Sequence, residues 1–191
     1  MYLVLDTETT GVAPTARIVS ISWAVYDDSA TEMALVHHII FPDGFTIPVE
    51  ASAIHGISTE TARCKGIPIK TALAGLSHDI ERHAPSLFVG HNVGFDRPIV
   101  LNEYARLETP TKLGILPTYC TMKTTANFCR IPRYNGGYKW PTLEELHRKL
   151  FGRPHSAAHD ARADVVACAK CFFELRRLGV GPIPSKAFPR A

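Results

Sequence analysis

The sequence predicts one α/β domain with a mixed sheet, and two observations lead to this fold class. Three apolar, β-prone segments follow one another at residues 2–6, 17–27 and 34–42. Strand-like segments then alternate with segments whose apolar residues recur at helical spacing. A meander followed by such alternation is typical of a sheet with antiparallel and parallel pairs. The 191 residues suffice for one domain with a full core.

The first half of the chain is expected to supply the meander, then short helical turns and a longer helix. Residues 2–6, YLVLD, form a continuous apolar run that fits a strand buried on both faces, and the meander begins there. Glycine and proline divide residues 47–68 into short helical turns. Residues 69–83 carry apolar side chains at helical intervals, which predicts a longer helix.

The second half is expected to alternate strands with helices. Residues 86–92 and the weaker segment 118–122 fit strands. Residues 95–107 fit a helix that tolerates Pro98 in its first turn. The last helix is expected over residues 160–178, because one stripe of this segment is apolar.

Capping and tail signals complete the outline. Thr142 precedes an apolar helical pattern and Glu145 follows three residues later, which predicts a capping box. The end of the chain is rich in proline. We therefore expect one domain over residues 1–179 and a loose tail over residues 180–191.

Composition excludes some classes of protein and leaves others open. The net charge of +3 permits an anionic partner without requiring one. The five cysteines are odd in number and no secretory segment precedes them, which predicts reduced thiols and a cytoplasmic protein. Cys168 and Cys171 have the spacing of a zinc or redox site. No second pair completes such a site, so we interpret them as buried apolar residues. No apolar run reaches the roughly 20 residues of a membrane span.

Acidic residues occur where strands end and helices begin. Asp6 and Glu8 lie two positions apart on the first strand, so their side chains point to the same face. Asp96 follows the fourth strand, and Asp160 or Asp164 lies in the first turn of the last helix. For these later acids, a role as helix caps is a sufficient explanation. A central strand has no such use for two carboxylates. A bound cation is the simplest compensation for their repulsion.

Three short motifs follow one another in the sequence: DTET at residues 6–9, HNVGFD at residues 91–96 and HDARAD at residues 159–164. In order, spacing and context they resemble the exonuclease motifs of the DnaQ-like, DEDDh-type 3′–5′ exonucleases. The resemblance covers nearly the whole chain. It implies a ribonuclease H-like fold, with a five-stranded mixed sheet flanked by helices.

The same resemblance implies that Asp6, Glu8, Asp96 and Asp164 bind two divalent cations. Four carboxylates without sulfur favour hard ions, Mg²⁺ or Mn²⁺, over zinc. Two such ions about 3.5–4 Å apart can stabilise the attacking and leaving oxygens of a phosphoryl displacement. His159 would act as the general base, because an unperturbed histidine pKa of about 6.5 suits this task at neutral pH.

The last motif contains the H-x-x-x-x-D spacing twice, as His155 with Asp160 and as His159 with Asp164. Helical residues five apart do not share a face, so the functional histidine must precede the helix. If Asp160 is the N-cap, the second pair is functional; if Ser156 is the N-cap, the first pair is. The resemblance favours His159 and Asp164, which leaves His155 as a loop residue without a chemical role.

Three further residues are predicted to contact substrate. His55, in AIHGIS, resembles the family segment that packs against the terminal nucleotide; the alternative is a turn that uses Gly56. Asn92 would hydrogen-bond substrate or brace the loop before Asp96. The backbone of Thr7 is expected near the 3′ end.

The loop at residues 130–140, RIPRYNGGYKW, interleaves basic and aromatic side chains. Basic groups pair with phosphates and aromatic rings stack on unpaired bases, so this pattern is typical of a single-strand binder. The alternative is an exposed loop whose aromatic residues pack on the domain. Its Asn-Gly-Gly sequence predicts a turn.

Together these features predict a metal-dependent exonuclease that releases nucleoside 5′-monophosphates from the 3′ ends of single-stranded DNA or RNA. A ribonuclease that trims RNA or short oligonucleotides is the nearest alternative, since a 2′-hydroxyl is recognised by local geometry. A silent nucleic-acid-binding module would gain nothing from negative charge where phosphates approach. A phosphoesterase for small molecules would not need the basic and aromatic loop. A proofreading role would need a polymerase or another replication or repair protein as partner, and no membrane association is expected.

Overall fold

A computed structural model describes residues 1–155 and 160–181 of the chain. The five strands of its sheet are β1 (Tyr2–Thr9), β2 (Ile18–Tyr26), β3 (Glu32–Ile39), β4 (Leu87–Gly90) and β5 (Thr118–Cys120). The helices are α1 (Val49–His55), α2 (Thr59–Lys65), α3 (Ile69–His83), α4 (Val93–Arg106), α5 (Thr121–Thr124), α6 (Ala126–Cys129), α7 (Leu143–Phe151) and α8 (Ala161–Arg177). A 3₁₀ turn at Lys112–Ile115 precedes β5.

The strand order is β3-β2-β1-β4-β5. The pairs β1–β2 and β2–β3 are antiparallel, whereas β1–β4 and β4–β5 are parallel. Apolar residues of α3 and α4 pack on one face of the sheet, and those of α7 and α8 pack on the other. The predicted meander and the five-stranded mixed sheet are therefore confirmed. The carboxyl ends of the parallel strands face the starts of helices. Functional sites of α/β proteins usually lie at this edge of the sheet.

Most boundaries shift by a few residues from the sequence prediction, and those of β1 and α4 matter for the site. β1 continues to Thr9, because its pairing with β2 runs through Glu8 and Ser20 and ends at Thr9 and Ile18. α4 begins at Val93, so Pro98 lies in its second turn and the prediction of a first-turn proline is wrong. Because proline has no backbone N–H, the helical hydrogen bond from position 98 to the carbonyl of Gly94 is missing.

The capping predictions are confirmed. Thr142 and Glu145 form a reciprocal capping box at the start of α7.

Cys168 and Cys171 are free thiols buried in α8, in agreement with their interpretation as apolar core residues. Val180 packs against the domain and its carbonyl accepts a hydrogen bond of 3.1 Å from the Tyr119 hydroxyl. The rest of the predicted tail, residues 182–191, lies outside the described residues.

None of the helices in residues 1–155 and 160–181 is long and apolar enough to cross a bilayer.

A buried carboxylate on α4 holds the loop that follows β1. The Glu103 side chain is 2% exposed and forms ion pairs with Arg17 at 2.7 Å and with Arg106 at 2.9 Å. Arg106 also donates to the carbonyl of Thr15, at 3.1 Å. The loop that leaves the acidic end of β1 is therefore tied to the helix that carries Asp96.

Replacing Glu103 by alanine should lower the free energy of unfolding by about 3 kcal/mol, because two partly buried guanidinium groups would lose their shared partner. Urea denaturation measures this change. Glu144→Ala is the matched control, since its ion pair with Arg148 is 46% and 60% exposed and such surface pairs contribute about 0.5 kcal/mol. Equal effects of the two substitutions would contradict the structural role of Glu103.

Candidate active site

The acidic residues of the first and last motifs meet where β1 ends and α8 begins. Asp6 and Glu8 alternate with buried residues on β1, and Asp164 lies in the first turn of α8. One carboxylate oxygen from each of Asp6, Glu8 and Asp164 lies within 4.8 Å of the others. We call these three residues the acid cluster. Strand alternation explains the first two, and the packing of α8 on the sheet brings the third.

Asp96 joins the acid cluster through the residue between Asp6 and Glu8. Its Oδ1 atom accepts hydrogen bonds from the Thr7 backbone N–H, at 3.1 Å, and from the Thr7 hydroxyl, at 2.8 Å. Asp96 is 2% exposed. Both donor groups of Thr7 are thus directed at Asp96, which fixes the first turn of α4 against the end of β1. The contact of Thr7 with substrate stays a prediction.

Crowding and desolvation keep these carboxyl groups from ionising easily. Burial, and then the charges of Asp96, Asp164 and Glu8, raise the pKa of Asp6 well above its usual range. Burial, followed by the charge of Asp164, raises the pKa of Glu8 to about 8. Burial raises the pKa of Asp96 to about 7 although the Thr7 hydrogen bonds oppose the shift. Without a compensating cation, the site therefore favours protonated acids at neutral pH.

This donor set fits divalent cations. The acid cluster offers oxygen atoms alone, and its raised pKa values mark negative charge that the surrounding protein does not neutralise. Carboxylate oxygens are the ligands that Mg²⁺ and Mn²⁺ prefer. Residues Asp6, Glu8 and Asp164 could hold an ion directly, with Asp96 adjacent.

Removal of divalent cations should make stability depend on pH. Asp96 and Glu8 have ordinary pKa values of 3.8 and 4.5, which the fold raises to about 7 and about 8. Between these limits the folded state binds more protons than the unfolded state, so the free energy of unfolding should fall as the pH rises. We expect a decrease of several kcal/mol between about pH 4 and pH 8 in EDTA, since one pH unit corresponds to about 1.4 kcal/mol for each group.

Urea denaturation at several pH values, with EDTA or with Mn²⁺, measures this dependence. Mn²⁺ should raise the stability more at the upper end of that range than at the lower end, because the ion competes with protons for the carboxylates. A Mn²⁺ effect that is independent of pH would contradict binding to these groups.

The N-cap of α8 bears on the choice between the two histidine–aspartate pairs of the last motif. Asp160 is the N-cap of α8, and its Oδ1 accepts from the backbone N–H of Arg162 at 2.9 Å and of Ala163 at 3.2 Å. This is the N-cap for which the sequence predicts His159 and Asp164 as the functional pair, and that pair stays a prediction. His159 itself lies outside the described residues.

His155, to which the sequence assigned no chemistry, contacts the acid cluster. Its Nε2 atom lies 3.5 Å from Asp164 Oδ1, and its side chain is 6% exposed. Its ring also packs edge-on against His147 of α7. The repeated H-x-x-x-x-D spacing was the available signal, but it could not show which histidine approaches Asp164.

The other predicted substrate residues lie around the same end of the sheet. His55 ends α1; its Nδ1 accepts from the Ile57 N–H at 3.2 Å, so the proton resides on Nε2. Among residues 1–155 and 160–181, that buried Nε2 has no hydrogen-bond partner of good geometry. Burial lowers the pKa of His55, and the backbone carbonyl of Thr9 offsets part of this lowering. Asn92 precedes α4 with a φ of 78°, and within the described structure its side chain does not cap that helix.

A row of polar side chains beside Asp6 was missed by the sequence reasoning. Ser22 pairs with Asp6 across β1 and β2, and His37 pairs with Ser22 across β2 and β3. Ser22 Oγ and His37 Nδ1 are 2.8 Å apart. Ser20 pairs with Glu8, and its buried hydroxyl has no hydrogen-bond partner in the described part of the chain. Two serines on one face of an otherwise apolar strand were the signal.

Comparisons with known proteins agree with this geometry. The family RNase_T, described as Exonuclease, matches residues 3–172. No curated protein matches the chain significantly by sequence.

Several solved structures share the fold. E. coli exonuclease I in complex with a dA16 oligonucleotide is 22% identical, with a TM-score of 0.73 over 92% of this chain and 40% of that chain. The complex of the same protein with a dT13 oligonucleotide is 23% identical, with a TM-score of 0.72 over 93% of this chain and 42% of that chain. The zinc-bound form of its complex with single-stranded DNA is 23% identical, with a TM-score of 0.71 over 93% of this chain and 40% of that chain. The chain thus spans about two fifths of these proteins.

Proposed function

The chain belongs to the exonuclease family RNase_T, as a DnaQ-like domain of the ribonuclease H-like superfamily, and from this premise we propose its reaction. It removes nucleoside 5′-monophosphates from the 3′ ends of single-stranded DNA or RNA. Two divalent cations, Mg²⁺ or Mn²⁺, and a histidine general base serve the reaction.

The observation that carries this proposal is the convergence of the acid cluster from opposite ends of the chain. Asp6 and Glu8 approach Asp164 within 4.8 Å although burial and mutual repulsion oppose their ionisation. Such an arrangement costs stability unless a cation is bound. A silent binding module would have no use for it where phosphates must approach.

Each residue has a distinct task in the proposed reaction. The cations held by Asp6, Glu8, Asp96 and Asp164 would supply charge stabilisation at the attacking and leaving oxygens. His159 takes a proton from the attacking water. Thr7 and Asp160 position the side chains of Asp96 and Asp164.

Two positioning contacts support that arrangement. Thr7 holds Asp96 with two hydrogen bonds. Asp160 caps α8 and so fixes the turn that presents Asp164. His55 and Asn92, which lie at the same end of the sheet, would orient the terminal nucleotide.

A ladder experiment tests the proposal. The purified protein is incubated with 5′-labelled single-stranded DNA and RNA of one sequence, in Mg²⁺, Mn²⁺ or Zn²⁺. Shortening from the 3′ end, absent in Asp6→Ala, is the expected result. Internal fragments would indicate an endonuclease, and equal cleavage by the variant would overturn the assignment.

The nature of the substrate is the second part of this proposal. Exonuclease I has been solved with dA16 and dT13 oligonucleotides, which supports single-stranded DNA as the first substrate to test. A ribonuclease that trims RNA is the alternative, and the RNA arm of the ladder distinguishes the two. A proofreading role would place a polymerase or another replication or repair protein beside this chain.

A further inference from the structure

The segment of residues 130–140 forms a small hairpin that projects from the domain; we call it the basic–aromatic hairpin. Pro132 and Tyr138 form its β-bridge, and the Arg133 N–H donates to the Gly137 carbonyl at 3.0 Å. Gly136 and Gly137 have φ values of 84° and 73°, which favour glycine. The predicted turn is therefore confirmed, and the hairpin is a defined structure.

The aromatic side chains of this hairpin face solvent. Tyr134 is fully exposed at the turn, Trp140 is 50% exposed and Tyr138 is 42% exposed. The sequence alternative, in which these rings pack on the domain, is wrong for Tyr134. Open aromatic faces on a short, well-formed hairpin are typical of a surface that stacks against a flat partner.

Exposed cations surround these rings. Arg130 and Arg133 are exposed on the hairpin, and Lys123 of α5 places its Nζ 5.5 Å from the centre of the Trp140 ring. Among the ion pairs of the described residues, none involves these three cations. Lys139 differs, because it is paired with Glu145 at 2.6 Å. The surface therefore offers positive charge next to open rings.

The hairpin is connected to the candidate active site. His91, directly before Asn92, has its Nε2 3.1 Å from the carbonyl oxygen of Pro141, which follows the hairpin. The Nζ of Lys123 lies 3.7 Å from the position that a Cβ on Gly94 would occupy, in the first turn of the helix that carries Asp96. Lys123 therefore lies beside the first turn of α4, and Trp140 lies beside Lys123.

We propose that the basic–aromatic hairpin, together with Lys123, binds the unpaired nucleotides upstream of the 3′ end that is being cleaved. Bases stack on Tyr134 and Trp140, and phosphates pair with Arg130, Arg133 and Lys123. This inference rests on the proposed function. Unpaired nucleic acid is the occupant because only it presents flat base faces and phosphates together; a duplex hides its base faces.

Hydrolysis of a long and a short substrate tests the inference. The short substrate is the p-nitrophenyl ester of thymidine 5′-monophosphate, which occupies the active site alone, and the long one is a single-stranded oligonucleotide. For Trp140→Ala and Tyr134→Ala, the ratio of kcat/KM for the long substrate to that for the ester should fall about 10-fold, as expected for one lost stacking contact. Trp140→Phe and Tyr134→Phe should restore most of this ratio.

Salt dependence tests the charged part of the surface. In Arg130→Ala and Arg133→Ala, binding of the oligonucleotide should lose about 0.7 from its log–log slope with salt per removed contact. Arg82→Ala, in the last turn of α3, is the matched control and should leave the slope unchanged.

Each outcome bears on one proposal only. If the wild-type protein hydrolyses both substrates but hairpin variants keep the same ratio and slope, the hairpin inference is overturned and the proposed function stands. If the variants affect a blunt duplex as strongly as the single strand, the assignment to unpaired nucleotides is overturned. If the wild type hydrolyses neither substrate, the proposed function is overturned instead.

Discussion

Replacing Asp6 by asparagine should abolish hydrolysis and, in EDTA, raise the free energy of unfolding. Activity should fall by at least about 10³-fold, because the carboxylate charge that a cation needs is lost. Stability should rise at neutral pH, because the amide does not ionise in a site where burial and the charges of Asp96, Asp164 and Glu8 oppose ionisation. Few substitutions of a structural residue remove activity and stabilise the fold together.

Single-turnover hydrolysis of the oligonucleotide and urea denaturation in EDTA measure the two effects. Glu81→Gln makes the same kind of change on an exposed turn of α3 and should alter neither quantity. Loss of activity together with loss of stability in Asp6→Asn would point to misfolding. Retained activity would remove Asp6 from the metal site.

Replacing His159 by glutamine should lower kcat about 10²–10⁴-fold, the range expected for loss of a general base. In the wild type, kcat should fall as the pH drops through about 6.5, where an unperturbed imidazole becomes protonated and can no longer accept a proton. That fall should disappear in His159→Gln. Stopped-assay rates across the pH range, with saturating Mn²⁺, measure both effects.

The matched variant is His155→Gln. His155 approaches Asp164 at 3.5 Å, so its loss should change kcat modestly, by less than about 10-fold, through the position of that carboxylate. The reverse pattern, with the large loss in His155→Gln, would favour the other reading of the repeated spacing. A wild-type rate that stays constant down to about pH 5 would exclude a histidine base altogether.

Much of the fold follows from local rules. The two-residue period of a strand placed Asp6 and Glu8 on one face, and the pattern from Thr142 to Glu145 predicted the capping box that starts α7. Local rules also limited the N-cap of the last helix to two candidates, Asp160 and Ser156, of which the structure has Asp160. These features depend on residues within one turn or one strand, which a sequence displays directly.

The remaining features depend on contacts between distant residues. The hydrogen bonds from Thr7 to Asp96 join β1 to α4 across 89 positions. The burial of Glu103 between Arg17 and Arg106 likewise depends on how α4 packs. A sequence shows that such groups exist, but only the packed sheet and helices decide which donor meets which acceptor.

Binding of Mn²⁺ in the presence of thymidine 5′-monophosphate, measured by isothermal titration calorimetry, tests the proposed metal centre. We expect two ions for each chain and a loss of binding in Asp6→Asn and in Asp164→Asn. Undiminished Mn²⁺ binding in both variants, or no binding by the wild type, would contradict the claim that these carboxylates form a metal centre.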